Sequence, residues 1–318
     1  MAAKTISFVL PVYNEAKVLP EFYRVLSETI RPLEGKYRFE LLFVNDGSRD
    51  STDALLQEIA AKDKRVKVIE FARNFGHQIA ITAGIDHAKG DAVIIMDTDL
   101  QDPPRTAVEL IREWEAGSEV VYAVRATRKD GFWKRATART FYKLLAMMSD
   151  YPIPENAGDF RLFDRKAADA MKQYREAHRY MRGISAHIGF KQKAVPFDRD
   201  ERYAGETHYP LRKMLRFSAD AMFSFSTAPL RFMTKFGFFV SGISVLGIIY
   251  AVVVRLFFSA DAVPGWSFIV VAVLFVGGVQ FIMLGILGEY IGRIYAEAKG
   301  RPLYIVSLIS GEATGNRD

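Results

Sequence analysis

AVIIMDTDLQDPP, residues 92–104, is the stretch on which the fold turns. AVIIM (92–96) is a short apolar run rich in β-branched side chains, as a buried strand requires. It ends on Asp97, with Asp99 two residues further on, and Pro103-Pro104 then open a helical pattern from Thr106 to Glu115. Working outward, the same strand-then-helix pattern recurs. ISFVLPV (6–12), FELLFVND (39–46), VKVIEFA (66–72) and EVVYAVR (119–125) read as further strands. Helical patterns at 18–29, 53–62 and 77–88 lie between them. Alternation of this kind predicts βαβ units and a mostly parallel α/β sheet. Such sheets bind ligands beyond the carboxyl ends of their strands, so the strand ends carry the functional information.

Those ends are PVYNE, NDGSRDST, ARNFGH and DTDLQDPP, all polar and suited to sugars, phosphates or metals. Asp97 and Asp99 can together hold a hard divalent cation against a diphosphate, with Gln101 adding a neutral oxygen. The plainer reading is a turn and helix cap, which use Asp constantly. Asp46 likewise reads either as an Asx turn before a helix or as a carboxylate accepting from a nucleobase or ribose. No GxGxxG follows the first strand and no GxxxxGK[ST] is present, which argues against a dinucleotide fold and P-loop phosphoryl transfer.

Composition constrains the rest. The 318 residues carry 43 Lys and Arg against 37 Asp and Glu, a net charge of +6 that favours anionic partners. Zero cysteines exclude disulfides and thiolate chemistry, and five histidines leave little for a histidine-rich metal centre. A mean hydropathy of +0.03 in a chain that is 25% charged implies unevenly placed apolar residues. They concentrate in two runs, Phe236–Phe258 and Trp266–Gly288, each long enough for a hydrocarbon core of about 30 Å. The pair reads as a transmembrane hairpin rather than a soluble helical hairpin, because soluble helices rarely stay apolar all round. Arg231 and Lys235 precede it, Arg293, Lys299 and Arg301 follow it, and the connecting loop has no Lys or Arg. The positive-inside rule then places both termini and the α/β domain in the cytoplasm, at an inner (plasma) membrane. Residues 210–234 mix Leu, Met and Phe with Arg and Lys, as an interfacial amphipathic helix does. The expected organisation is an α/β domain over 1–209, the interfacial segment, spans near 236–258 and 266–288 within 235–289, and a tail over 290–318. RPLYIVSLIS in that tail has strand character and could pair with its own sheet or a neighbour's, which suggests a homo-oligomer.

With these motifs in view, the chain resembles the family 2 glycosyltransferases of the GT-A fold, within their polyprenyl-phosphate branch. The resemblance rests on PVYNE, NDGS, RNFGHQIAITAGIDHAKGD, DTDLQDPP, NAGDFRLFDRK, RYAGETHYP, the paired apolar runs and EYIGRIYAEAKGRPLYIV, in that order. It implies that Pro11, Tyr13 and Glu15 contact the nucleotide and Asp46 the base. It also implies that Asp97, Asp99 and Gln101 form a DxDxQ metal motif for Mg²⁺ or Mn²⁺. Asp159 then falls in the acceptor loop as a catalytic carboxylate. Arg125, Lys134, Arg135 and Arg202 belong to the basic set for donor diphosphate and acceptor phosphate.

The implied reaction is an inverting transfer of a hexose from a nucleotide-sugar to polyprenyl monophosphate. UDP-glucose is the favoured donor, with GDP-mannose or a UDP-aminosugar as alternatives, and the product would serve envelope glycan or protein glycosylation. The acceptor phosphate, with a second pKa near 6, is largely dianionic at neutral pH and needs little base catalysis, so Asp159 is expected to orient it or to bridge to the metal. Nucleic acid is not an expected partner, since no recognition motif is present. A processive polysaccharide synthase would carry a Q-x-x-R-W segment, which is absent. The competing reading from another class is a non-catalytic membrane-anchored binding protein.

Overall fold

A computed structural model describes residues 3–125, 157–198, 228–257 and 266–311. Its first unit is an eight-stranded sheet in the order β7-β5-β6-β4-β1-β2-β3-β8. The central strands β1 (Lys4–Val12), β2 (Tyr37–Asn45), β3 (Val66–Phe71) and β4 (Ala92–Ile95) are mutually parallel. The helices between them are α1 (Leu19–Ile30), α2 (Thr52–Lys62) and α3 (His77–His87), and α4 (Arg105–Glu115) leads to β5 (Val120–Arg125). The five strands and the helices read from the sequence are all present. β1 and β2 are buried almost throughout, so their near-continuous Val, Leu, Ile and Phe runs suit a parallel sheet covered on both faces.

Three more strands complete the sheet, of which only the tail strand was expected. β6 (Ala157–Asp164) lies between β4 and β5, antiparallel to both, and β7 (Gln192–Phe197) runs parallel to β5 at the edge. Between them lie α5 (Arg165–Gln173) and α6 (Met181–His187). β6 hides from a hydropathy reading because Asp159 and Arg161 interrupt its apolar residues, yet Arg161 is only 2% exposed. β8 (Val306–Ser310) pairs antiparallel with β3. The tail strand thus finds its partner in its own sheet, and the described residues from Arg301 to Gly311 belong to the sheet unit.

Two close approaches need glycine. Gly84 of α3 packs so tightly on β1 that an added Cβ would lie 2.1 Å from Val9 Cγ1. Gly47, at φ +67°, turns the chain after β2 where a Cβ would lie 2.6 Å from the Arg73 carbonyl carbon.

The second unit contains the helices α7 (Ala228–Phe257) and α8 (Trp266–Ala298). They approach each other closely enough that a Cβ on Gly237 would lie 3.8 Å from Met283 Cε. Many of their apolar side chains face outward, Phe238 at 76% and Phe281 at 77% exposure. Among the described residues one segment, Phe275–Ala298, is long and apolar enough to cross a membrane. It overlaps the second expected span and continues past Gly288, because EYIGRIYAEA extends the helix with residues that favour it. The first expected span lies inside α7, except for Phe258, which falls outside the described residues.

Candidate active site

The carboxyl ends of β1, β2 and β4 and the start of α3 enclose a cavity of about 320 Å³. Pro11, Tyr13, Glu15, Asp46, Asn74, Gly76, His77, Asp97 and Asp99 all border it. Most of the residues read from the sequence as nucleotide or metal ligands therefore meet in one place. The loop after β1 is laced to the loop after β2. Asn14 N donates to Ser48 Oγ at 3.0 Å, Arg49 N to Asn14 Oδ1 at 2.8 Å, and Glu15 N to Thr52 Oγ1 at 3.0 Å. Asn14 accepts a left-handed backbone at φ +54°, which Asn tolerates better than most residues. This leaves the Tyr13 ring 42% exposed at the cavity mouth.

Asp46 is 3% exposed and works partly on the protein itself. Its carboxylate accepts from Phe75 N at 2.6 Å and Gly76 N at 2.9 Å, and its backbone carbonyl accepts from Asn74 Nδ2 at 3.2 Å. Burial raises its pKa, against the opposing pull of those two amides and of His77 and Arg73. A carboxylate has about four lone-pair positions, so these two bonds leave capacity for a ligand. The Asx-turn alternative is only partly met, because the side chain reaches across to the loop after β3.

Asp97 and Asp99 follow β4 through a turn in which Leu100 takes φ +60°. Asp99 Oδ1 accepts from Gln101 N at 3.0 Å, and Thr98 Oγ1 donates to Pro11 O at 3.2 Å. The turn and ligand readings coexist here: Asp99 shapes the turn while bordering the cavity. Among the described residues no three His, Cys, Asp or Glu side chains form a ready-made metal cage. Two hard carboxylate oxygens beside an open cavity nevertheless fit Mg²⁺ or Mn²⁺ whose other ligands come from substrate phosphates and water.

His77, the first residue of α3, connects this group to β6. Its Nε2 lies 3.4 Å from Asp97 Oδ1 and 3.8 Å from Asp159 Oδ2. The Asp159 side chain is 9% exposed. Arg182 Nε donates to its Oδ1 at 3.0 Å, and Gln78 Nε2 donates to Oδ2 at 3.1 Å. Gln78 Oε1 in turn accepts from Met181 N at 2.9 Å, fixing the amide. Burial alone would raise the Asp159 pKa. The charge and hydrogen bonds of Arg182, helped by His77 and Arg161, hold it below the ordinary carboxylate value. Asp159 is therefore an ionised, doubly held carboxylate.

Asn74 and His77 sit in the ARNFGH strand end and Gln78 directly follows it, so the motif marks the region without singling them out. Arg182 gave no sequence signal, because a lone arginine in a helix resembles any other. Arg125 ends β5 in register with Phe197 of β7 and does not border the cavity. Lys134, Arg135 and Arg202, and the interfacial segment up to residue 227, lie outside the described residues.

The family model for glycosyl transferase family 2 matches residues 7–171, a span that begins in β1 and ends in α5. The chain belongs to that family. Its α/β sheet is the mostly parallel, GT-A-like one that the sequence implied. "Uncharacterized glycosyltransferase YkcC" of Bacillus subtilis is 50% identical over 306 residues, covering 96% of this chain and 94% of that one. "Bactoprenol glucosyl transferase" of Shigella phage SfII is 43% identical over 304 residues, covering 95% and 97%. The second of these names is consistent with the polyprenyl-phosphate branch of family 2 that the motifs resemble. Among solved structures, glucosyl-3-phosphoglycerate synthase from Mycobacterium tuberculosis, in complex with Mn²⁺, UDP and phosphoglyceric acid, matches with a TM-score of 0.49. That match has 20% identity over 70% of this chain and 77% of the other.

Proposed function

We propose that this family 2 glycosyltransferase moves a hexose, from UDP-glucose, to polyprenyl monophosphate at the cytoplasmic face of a bacterial membrane. The observation that carries the reading is the meeting of Tyr13, Glu15, Asp46, Asp97 and Asp99 around one cavity, with His77 reaching from Asp97 to Asp159. The name of the phage SfII relative supports the acceptor and the sugar. In the reaction an acceptor phosphate oxygen bonds to the anomeric carbon while that carbon's bond to the donor diphosphate breaks. Attack from the opposite face inverts the anomeric configuration. The products are polyprenyl-phosphate-sugar and a nucleoside diphosphate.

Pro11, Tyr13, Glu15 and Asp46 bind the nucleotide in this reading. Asp97 and Asp99 would hold Mg²⁺ or Mn²⁺, with Gln101 beside them, and the cation would supply positive charge to the leaving diphosphate. Asp159 is positioned to fix Arg182 and His77 beside the acceptor rather than to remove a proton. Its low pKa makes it a weak base, and the acceptor is already largely dianionic above about pH 6. Arg125, Lys134, Arg135 and Arg202 are assigned to the phosphates. Both α7 and α8 would anchor the enzyme, with the basic residues flanking them on the cytoplasmic side.

Incubating the purified full-length protein with UDP-glucose, GDP-mannose and a UDP-aminosugar tests the donor. UDP-glucose should be consumed fastest in the presence of polyprenyl phosphate and Mg²⁺ or Mn²⁺. Faster use of GDP-mannose would reassign the sugar. Nucleotide binding without turnover of any donor would favour the non-catalytic binding protein.

A further inference from the structure

The chain that follows α8 does more than end. Tyr304 stacks on Phe71, the last residue of β3, with ring centroids 5.3 Å apart and planes 18° from parallel. Phe71 meets Phe75 edge-on at 5.6 Å, and the Arg73 guanidinium lies 4.0 Å from the Phe75 ring centroid. Phe75 and its neighbour Gly76 supply the two amides that Asp46 accepts. A continuous packed path therefore leads from the tail to the cavity wall. Backbone bonds reinforce it. Ala72 N donates to Ile305 O at 3.0 Å, and Ser307 Oγ donates to Glu70 O at 3.1 Å.

The Tyr304 hydroxyl is anchored as firmly as its ring. It donates to Asp86 Oδ2 at 2.9 Å, and Arg175 Nη1 donates to both Asp86 oxygens at 3.0 and 2.8 Å. Tyr304 thus joins β3, α3 and the segment after α5. Burial, followed by the Asp86 charge, raises its pKa, so the hydroxyl keeps the proton it donates. Gly311, at φ +84°, ends the strand where a Cβ would lie 2.3 Å from Val66 O. A simple polar tail would need none of these contacts.

We propose that Tyr304 is a positioning residue for the donor site: the tail strand clasps the end of β3 and so holds loop 72–77 where Asp46 can bind it and His77 can reach Asp97. The proposal rests on the reading of this cavity as the nucleotide-sugar site. It makes the residues beyond the last long helix part of the catalytic domain. The chemistry of the acceptor is untouched by it, so its effect should fall on donor affinity.

The test compares full-length wild type with Tyr304→Ala and Tyr304→Phe. Amide hydrogen exchange at Phe75 and Gly76 should speed up by about tenfold or more in the alanine variant and change little in the phenylalanine variant, which keeps the stack. The donor KM should rise about tenfold in Tyr304→Ala, with kcat and the acceptor KM within about twofold of wild type. Unchanged exchange at Phe75 and Gly76, or a fall in kcat at constant donor KM, would overturn the clasp. If Tyr304→Ala does not fold, Tyr304→Leu decides, since it fills the seat without a flat ring; the same two shifts are expected, and their absence overturns the proposal. The exchange readout needs no turnover. A wild type that transfers no sugar would therefore remove the proposed reaction while leaving the clasp to be judged by exchange alone.

Discussion

The two ends of the sheet use carboxylates in opposite ways. At the amino end Glu40 is 7% exposed and occupied by its own chain. It accepts from Ser7 Oγ at 2.5 Å, Lys67 Nζ at 2.8 Å and Lys89 N at 3.0 Å, while Ser7 Oγ accepts from Gly90 N at 2.8 Å. Burial pushes its pKa up, but Lys67, Ser7 and the Lys89 amide together hold it below the ordinary value. At the carboxyl end Asp46, Asp97 and Asp99 border a cavity of about 320 Å³, and His77 links Asp97 to Asp159. One end closes the fold, and the other gathers negative charge where cations and a phosphorylated substrate can enter. The difference teaches that an acidic residue is informative only with its surroundings. In the sequence both belong to the run FELLFVND, and only the place of Asp46 at its carboxyl end sets it apart from Glu40 near the start.

Four substitutions could break that contrast. Asp97→Ala should lower sugar transfer by about a thousandfold, because charge on the departing diphosphate would lose its main compensation. Its melting temperature should stay within a few degrees of wild type, since the residue borders the cavity. Asp159→Asn should lower kcat by about a hundredfold, leaving Arg182 without its anionic partner and His77 with Asp97 alone. Its pH-rate profile should run parallel to wild type. A rate loss confined to below about pH 6, where the acceptor phosphate takes a proton, would make Asp159 a base after all.

The amino end should respond in stability and not in rate. Glu40→Gln should cost about 2–3 kcal/mol in chemical denaturation, since it leaves the half-buried Lys67 ammonium without a counter-charge. Its kcat/KM should be unchanged. The sign with pH follows from the lowered Glu40 pKa. Its stabilisation is complete above the ordinary Glu value of about 4.3 and is lost as pH falls through the lower folded value. The stability gap between wild type and Glu40→Gln should therefore be widest near neutral pH and close in acid. Gly84→Ala, with its Cβ aimed at Val9, is expected to cost about 1–3 kcal/mol by overpacking, again with donor KM unchanged. An activity loss in either variant without a loss of stability would blur the division between the two ends.

Much of this was legible beforehand because hydrophobic period and strand-end chemistry are local. The runs that became β1 to β5 announce themselves, and the four polar strand ends pointed to one site. What escaped depends on contacts distant in sequence. Arg182 matters because it reaches Asp159, and Gln78 because its amide spans from Asp159 to Met181. β6 escaped because Arg161 reads as a surface residue, yet its guanidinium donates to Ser185 Oγ at 2.6 Å and to Gly158 O at 3.2 Å inside the fold. Burial lowers the pKa of that arginine to about 10, which leaves it charged at neutral pH. The tail strand was visible as a strand, but its partner was open between this sheet and a neighbour's until its register with β3 was in hand.

The long helices extend the lesson to apolar residues. In the sheet unit Phe8, Phe22 and Phe43 are fully buried, whereas Phe238 and Phe281 stand more than three-quarters exposed on α7 and α8. Exposed apolar surface on that scale is what the membrane anchoring and lipid acceptor proposed above would require.

The most direct test of the central claim is mass spectrometry of the lipid product formed by purified full-length protein. With UDP-glucose, polyprenyl phosphate and Mg²⁺, wild type should yield polyprenyl-phosphate-hexose and UDP in equal amounts, and Asp97→Ala should yield almost none. If wild type left the polyprenyl phosphate unmodified with every nucleotide-sugar tried, or if Asp97→Ala matched wild type, the account of this site would be wrong.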